Sequence, residues 1–385
     1  MKKLFFLLLI NFSVFSQNLK LSAQAEISLL TISPGKELYS TFGHSAIRIK
    51  DNQSGLDKNY NYGTFDFNAP NFYLKFLRGK LPYLISAHDF YLEMEYWAYR
   101  ENRRVVEQKL NLSQNQKQRI FDFLEHNLLP ENKEYAYKFF TDNCSTRLRD
   151  VFQNACGDSL IFDVGLHSDS TYRQWIDKYA KDNNKLWADF GMDLAIGIPS
   201  DQVTGWSNAM YIPNNLADAL SHAKIKNQMG ISDFVISETG LNEIIKTEVI
   251  SEFSPVLSFS ILFIIVLLVT IFQYKKTNSS LLFDKMFFTI LGLAGWILFF
   301  LWFFTDHGVT TLNLNLVWAF PLLFPLFLLK NKMPKVFNYF LWLYGSMNMV
   351  LLVFIKFLPQ EINPAIIPVL LTILLRITFI LKTTK

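Results

Sequence analysis

The sequence predicts an exported α+β domain followed by an all-α membrane domain. Three observations support this prediction. A short apolar segment behind two lysines, "MKKLFFLLLINFSVFS", opens the chain, several long apolar stretches fill its last third, and strand-like and helix-like patterns alternate between them. We therefore expect a signal peptide at residues 1–16, an exported domain at 17–254 and a membrane domain at 255–385. An uncleaved signal anchor is the alternative for the first segment, and it exports the same domain.

The membrane domain is predicted to contain five transmembrane helices, because each span needs roughly 20 apolar residues. The five stretches cover about residues 255–274, 286–304, 312–329, 337–357 and 364–381. Lysines follow the first and third spans and close the chain, whereas the other two loops, "TDHGVTTLN" and "PQEINP", contain no Lys or Arg. This bias predicts a cytoplasmic C-terminus and a periplasmic exported domain at an inner membrane. It also accounts for most of the net charge of +4, so the charge does not indicate nucleic-acid binding.

The exported domain is predicted to combine a small antiparallel sheet with amphipathic helices. Alternating or β-branched patterns predict strands at "AEISLLTIS", "GHSAIRIK", "YNYGTFDF", "LPYLISAHDF" and "RRVVEQKLNL". A Ser113 cap begins one predicted helix, and "CSTRLRDVFQNAC", stopped by Gly157, is another. Segments around 171–190 and 214–226 are also predicted to be helical.

The two cysteines, Cys144 and Cys156, lie at opposite ends of the same predicted helix. Their α-carbons would be about 18 Å apart, whereas a disulfide needs about 7 Å or less. An intramolecular bridge is therefore not expected, and an intermolecular one stays open. Cys144 follows the capping residues Asp142 and Asn143, so the first helical turn favours its thiolate. The alternative is a buried, inert thiol, and Cys156 is predicted to be structural.

A thiolate nucleophile requires a base, and His44 is the candidate because it opens a strand directly after Phe42 and Gly43. A lone histidine is more often structural, which is the alternative. Pairing the hairpin about its polar turn places His44 opposite approximately residue 65, so Asp66 is predicted to orient the imidazole. The sequence has no His-Glu-x-x-His, Gly-x-Ser-x-Gly or Gly-Lys phosphate-loop motif, so we expect no metal and no cofactor.

Three runs together resemble one known family. "SPGKELYSTFGHSAIRI", "YNYGTFDF" and "YAYKFFTDNCSTRLRD" are similar to the exported domain of the Lnb-type lipoprotein N-acyltransferases of Bacteroidota, and "FFTDHGVTTLNLNLVWAFP" resembles an outer loop of their membrane part. The order of His before Cys also resembles the circularly permuted papain-like thiol enzymes. The resemblance implies that fold, with Cys144 as nucleophile and His44 as base. It leaves the third residue open between Asp66, Asn61 and Tyr62.

The resemblance further implies two lipid substrates. The acyl donor would be a membrane phospholipid, and the acceptor would be the N-terminal amine of a diacylglyceryl-cysteine lipoprotein. His307, Asn313 and Asn315 are then expected to position substrate at the outer membrane face, and Arg48 could bind lipid phosphate. An ordinary loop histidine, helix-end asparagines and a surface ion pair are the respective alternatives.

Two other functions fit the same residues. A thiol hydrolase of lipid esters or cell-wall peptides would use Cys144 and His44 with water as acceptor. A membrane-anchored binding or assembly module would bury Cys144 without chemistry.

Overall fold

The computed structural model describes residues 19–162, 169–228, 230–245, 253–275, 281–329 and 334–383. The predicted signal peptide at 1–16 lies outside these residues, as do several of the lysines that predict the orientation, namely Lys276, Lys330, Lys332 and Lys385. Within the described residues, a mixed α+β part precedes a helical, strongly apolar part. This order confirms the coarse fold prediction.

The strands of the exported part form one large and one small antiparallel sheet. The strands are β1 (Glu26–Ile32), β2 (His44–Asp51), β3 (Leu56–Thr64), β4 (Pro82–Asp89), β5 (Val105–Leu110), β6 (Glu134–Ala136), β7 (Leu160–Ile161), β8 (Lys224–Asn227), β9 (Gly230–Asp233) and β10 (Val235–Gly240). The large sheet has the order β10-β5-β1-β2-β3-β4-β6, and the small one has the order β7-β8-β9. The first five strands overlap the predicted segments, but β3 begins four residues before its predicted segment and ends three residues before the end of that segment.

The helices of the exported part cover both faces of the large sheet. They are α1 (Phe72–Leu77), α2 (Phe90–Met94), α3 (Gln114–Leu128), α4 (Cys144–Cys156), α5 (Tyr172–Asp182), α6 (Leu186–Ala195), α7 (Gly205–Ala209) and α8 (Pro213–His222), and a π-helical segment (Glu95–Arg100) extends α2. The helix expected over 214–226 ends at His222, because the following residues pair as β8.

Helix α4 is positioned by its apolar stripe. Leu148, Val151 and Phe152 recur at helical spacing and are buried against residues of β2 and β3 such as Ile47 and Tyr60. The other face of the sheet carries a smaller core around Ala46 and Trp97 of the π-helical segment. Successive side chains of β2 therefore point alternately into the two cores. The packing of α4 on this strand places the start of β2 beside the start of α4.

The membrane part contains α9 (Pro255–Tyr274), α10 (Leu282–Phe303), α11 (Leu323–Leu329), α12 (Pro334–Phe354) and α13 (Ile366–Thr383). Among the described residues, four of these helices, all except α11, are long and apolar enough to cross a membrane. The span predicted over 312–329 is not one continuous helix. A 3₁₀ turn covers Leu314–Leu316 and α11 begins only at Leu323, because Pro321 interrupts the intervening segment.

The two parts dock through polar contacts at the end of α6. The Asn313 side chain donates to the carbonyl oxygens of Leu194 (2.6 Å) and Ala195 (3.2 Å), and so caps the last turn of α6. The Gly197 N–H donates to the Val309 carbonyl at 2.8 Å. A Cβ at Gly197 would lie 1.9 Å from the Thr311 carbonyl oxygen, so only glycine permits this approach.

Candidate active site

Cys144 occupies the first helical turn of α4, as the sequence predicts. Asn143 caps the helix, since its side-chain oxygen accepts the N–H groups of Ser145 and Thr146, both at 2.9 Å. Thr146 in turn accepts the Asn143 N–H at 2.8 Å, which completes a capping box. The cap engages the N–H groups of the two residues after Cys144 and not that of Cys144, which lies at the positive end of the helix dipole.

His44 at the start of β2 lies beside this sulfur. Its Nε2 is 3.0 Å from the side-chain oxygen of Asn61, so the other ring nitrogen is left for the thiol. Burial opposes ionisation of Cys144, but the charge and hydrogen bond of His44 outweigh it and lower the pKa of the thiol, with help from the Ser45 N–H and the Ser145 hydroxyl. Burial also disfavours the imidazolium, yet Cys144 and Asn61 together raise the pKa of His44. The site therefore favours a thiolate–imidazolium pair.

Asn61, and not Asp66, is the group that orients His44. Asp66 is exposed and accepts the Asn68 N–H at 2.8 Å, so the prediction that Asp66 lies against the imidazole is wrong for this structure. The observed register pairs Ile47 with Tyr60, which shifts the hairpin by two residues from the predicted pairing. Asn61 then becomes the diagonal neighbour of His44 on the same face of the sheet.

Glu93 of α2 completes the row of polar groups. Both of its carboxylate oxygens accept hydrogen bonds from the Asn61 side-chain nitrogen, at 2.7 and 2.8 Å. Burial raises the pKa of Glu93, and the hydrogen bond from Asn61 works against that rise. Sequence reasoning missed Glu93, because a glutamate in a short helix gives no local sign that it faces a strand.

A cavity of about 370 Å³ opens beside these residues. Its lining includes the polar residues His44, Asn61 and Glu93 and the larger, more apolar side chains of Leu92 and Tyr96. Other residues that line it are Gly63, Thr64, Ser86, His88 and Trp97. The arrangement supplies a nucleophile, a base, an orienting amide and partly apolar space for a substrate.

Gly63 lines the cavity and lies beside Cys144. A Cβ added at Gly63 would lie 3.8 Å from the Cys144 Cβ and 3.8 Å from the Tyr137 ring. A side chain at this position would therefore be in contact with Cys144.

Arg48 is not available to bind a phosphate. Its guanidinium is buried and makes two hydrogen bonds to Asp57, at 2.8 and 2.7 Å, and one to Glu107 at 3.2 Å. It also lies over the Phe90 ring, 3.3 Å from the centroid. Arg48 therefore fastens the sheet to α2, and its predicted contact with substrate is not what the structure shows.

Asn313 and Asn315 are likewise committed to structure. Asn315 donates to the Asp193 carbonyl at 3.0 Å and accepts the Trp318 indole N–H at 2.9 Å. The Asn313 side-chain oxygen accepts the Asn315 N–H at 2.9 Å, and its nitrogen caps α6. Both side chains are buried at the docking interface, so the prediction that they position substrate at an open mouth is wrong for this structure.

His307 lies in the loop that follows α10 and contacts the exported part. Its Nε2 is 3.0 Å from the Leu77 carbonyl oxygen at the end of α1. Burial lowers the pKa of His307, although the hydrogen bond to the Leu77 carbonyl works against that decrease. Its predicted role in substrate binding stays a prediction.

Cys144 and Cys156 are both free. Burial raises the pKa of Cys156 to about 12, so this thiol stays protonated and inert, in agreement with its predicted structural role. The expected contrast between the two ends of α4 is therefore confirmed at the level of their electrostatics.

Within the described ranges, one group of carboxylates could hold a cation: Asp177, Asp189 and Asp193, whose ligand oxygens lie within 4.8 Å of one another. Burial, followed by the charge of Asp193, raises the pKa of Asp177 to about 8 and that of Asp189 to about 6. Arg173 pairs with Asp193 at 2.7 Å, and the Asn363 side chain donates to Asp193 at 2.9 Å. The group belongs to the docking interface and not to the cavity beside Cys144.

Two family models match the chain. The Lnb N-terminal periplasmic domain covers residues 13–178, and the Lnb transmembrane domain covers residues 246–385. The first range contains every residue placed in the candidate site, and the second contains all the helices of the membrane part. No curated protein and no solved structure matches the chain.

Proposed function

The chain belongs to the Lnb family, and from this premise we propose that it is a lipoprotein N-acyltransferase with Cys144 as its nucleophile. Its donor would be a membrane phospholipid and its acceptor the N-terminal amine of a diacylated lipoprotein. The family places a periplasmic domain beside membrane-spanning helices, which suits a reaction between two lipid-anchored substrates. The catalytic domain would have the permuted papain-like arrangement.

The observation that carries the proposal is the row of groups from Cys144 through His44 and Asn61 to Glu93. A Cys–His pair with an amide on the far ring nitrogen is the arrangement of papain-like thiol enzymes. The amide holds the imidazole in one orientation, and Glu93 holds the amide through two hydrogen bonds. A merely structural cysteine has no use for this row of oriented polar groups.

In the first half-reaction, the Cys144 thiolate attacks the carbonyl carbon of a phospholipid acyl ester. The N–H of Cys144 stabilises the oxyanion that forms. The tetrahedral intermediate then breaks its carbon–oxygen ester bond, and the leaving alkoxide takes the proton of the His44 imidazolium. The products are a thioester on Cys144, a lysophospholipid and a neutral His44.

In the second half-reaction, the lipoprotein amine attacks the thioester carbonyl. Neutral His44 takes a proton from the amine as the new carbon–nitrogen bond forms, and the carbon–sulfur bond breaks. The products are the N-acylated lipoprotein and the original thiolate–imidazolium pair. A thioester suits this step, because an amine attacks it readily and the amide product is stable.

The decisive experiment is mass spectrometry of lipoprotein N-termini in cells that carry wild-type or variant protein in place of the original. Cys144→Ser and His44→Ala should leave lipoproteins diacylated. Cys156→Ala is the matched control, because it removes the other thiol of the same helix, and it should restore triacylation. Triacylated lipoproteins in the Cys144→Ser strain would overturn the proposal.

The two rival functions give different results. A thiol hydrolase would release free fatty acid or cleaved peptide from purified protein without any acceptor amine. A non-catalytic module would leave lipoprotein acylation unchanged in all variants. Alkylation of the Cys144 thiol would then titrate near the ordinary value of about 8.5 and not below it.

A further inference from the structure

The exported part carries an exposed apolar surface close to the membrane helices. We call Phe67, Tyr73, Leu74, Phe76 and Leu77 the apolar ridge; the last four belong to α1. Exposed fractions are 60% for Phe67, 81% for Tyr73 and 53% for Phe76. Exposure of aromatic side chains to water is unfavourable in free energy. A contiguous exposed apolar patch of this kind therefore indicates an interaction surface.

The outer loop of the membrane part fixes the height of α1. The Asp306 N–H donates to the Arg78 carbonyl at 2.9 Å, and His307 contacts the Leu77 carbonyl. Gly79 makes this approach possible, because a Cβ there would lie 3.0 Å from the His307 nitrogen. Lys80 adds an ion pair to Asp306 at 3.3 Å.

This contact holds the end of α1 close to the end of a spanning helix. Helix α10 ends at Phe303, and three residues later the Asp306 N–H donates to the Arg78 carbonyl at the end of α1. Three residues span at most about 10 Å, a length comparable to the headgroup region of each leaflet, which is roughly 5 to 8 Å thick. Aromatic residues favour this depth, and the basic Lys75 and Arg78 suit contact with lipid phosphates.

A row of ring contacts connects the ridge to the nucleophile. The Phe67 ring lies 4.9 Å from Phe65, Phe65 lies 5.4 Å from Tyr83, and Tyr83 stacks on Tyr137 at 4.3 Å between centroids. Tyr137 in turn borders the space that Gly63 leaves beside Cys144. The row is a continuous line of aromatic side chains from the protein surface to the space beside Cys144.

We propose that the apolar ridge inserts into the outer leaflet of the membrane, and that an acyl chain leaves the bilayer along the aromatic row to reach Cys144. Insertion of the ridge stands on the geometry alone. The path of the acyl chain rests on the proposed acyltransferase function. The outer lipid leaflet is therefore the partner that covers the apolar ridge.

Insertion can be tested by lipid-dependent quenching in the full-length protein. Tyr73→Cys and Phe76→Cys, each in a background of Cys144→Ser and Cys156→Ala, are labelled with an environment-sensitive fluorophore and placed in nanodiscs. Ile231→Cys is the matched control, because Ile231 is an equally exposed (65%) apolar residue in the small sheet. Nitroxide-labelled phospholipids should quench positions 73 and 76 strongly and position 231 weakly. Equal quenching at all three positions would overturn the insertion.

The proposed path of the acyl chain is tested by the substitutions Phe67→Ser and Phe76→Ser in the apolar ridge, with Ile231→Ser as the control. Both ridge variants should raise the apparent KM for nanodisc phospholipid several-fold, while the rate at which soluble iodoacetamide alkylates Cys144 stays at the wild-type value. An unchanged KM would refute the path. Absence of acyl transfer in the wild-type protein would instead refute the proposed function, and the quenching result would still decide the insertion.

Discussion

Replacement of Asn61 by alanine tests the oriented imidazole directly. Asn61→Ala removes the 3.0 Å hydrogen bond to His44 and both hydrogen bonds to Glu93. A hydrogen bond to a charged group contributes about 1.5–3 kcal/mol. If the transition state loses that amount, kcat/KM for acyl transfer should fall roughly 10- to 150-fold.

The same variant should change the pH dependence of Cys144. The ion pair exists above the pKa of the thiol and below the pKa of the imidazole. Asn61 helps raise the pKa of His44, so its removal should lower that pKa. The pH range in which the thiolate–imidazolium pair exists, called the reactive window, should then end at a lower pH. Rates of iodoacetamide alkylation, measured from acid to alkaline pH, report both limits of the window.

Asp66→Asn is the matched control, because Asp66 is the other candidate for the orienting residue and is exposed. It should keep the wild-type rate and pH profile, and thermal unfolding should show that both variants are folded. A wild-type profile in Asn61→Ala together with a large loss in Asp66→Asn would refute the assignment.

Three further predictions concern stability. Asp177→Asn should raise Tm more at pH 8 than at pH 5. Because the pKa of Asp177 is raised in the native protein, the free energy of unfolding decreases as pH rises from about 4 towards 8. The amide variant avoids that decrease, so an equal change of Tm at both pH values would contradict the prediction. Gly197→Ala should increase hydrogen exchange at residues 186–201, because the added Cβ would overlap the Thr311 carbonyl. Gly191→Ala is the control, because a Cβ at Gly191 would have no atom within 4 Å, and it should leave the exchange unchanged. Equal exchange in both variants would refute the close docking. Arg48→Met should destabilise the exported part by about 3 kcal/mol, since it leaves the buried Glu107 carboxylate and the partly buried Asp57 carboxylate unpaired, without changing KM for lipid. A raised KM at unchanged Tm would restore the phosphate-binding role.

The positions of the proposed nucleophile and base could be predicted because their signals are local. A capping residue, a helix start and a strand start are each encoded within a few neighbouring residues, and they place Cys144 and His44 correctly. The orienting residue depends on hairpin register instead. The turn is two residues tighter than the pattern suggests, which replaces Asp66 by Asn61.

Residues whose partners lie on distant elements or in the other part of the chain could not be predicted in the same way. Glu93 reaches Asn61 from a separate helix, and nothing around position 93 marks it. The sequence predicts that Asn313 and Asn315 are polar residues at an open membrane surface. In the structure, the two side-chain amides donate hydrogen bonds to carbonyl groups at the end of α6, which have no partner within the helix. Such partners follow only from the docked arrangement.

Among the described residues, the exported part contacts the membrane part both at α1 and at the end of α6. One attachment would act as a pivot, whereas separated attachments oppose rocking and hold Cys144 at one level relative to the spanning helices. In the proposed reaction, acyl carbonyl groups must come to that level, so the rate of transfer should depend on bilayer thickness. The proposed lipoprotein substrate would need a tether long enough for its amine to arrive at the same plane.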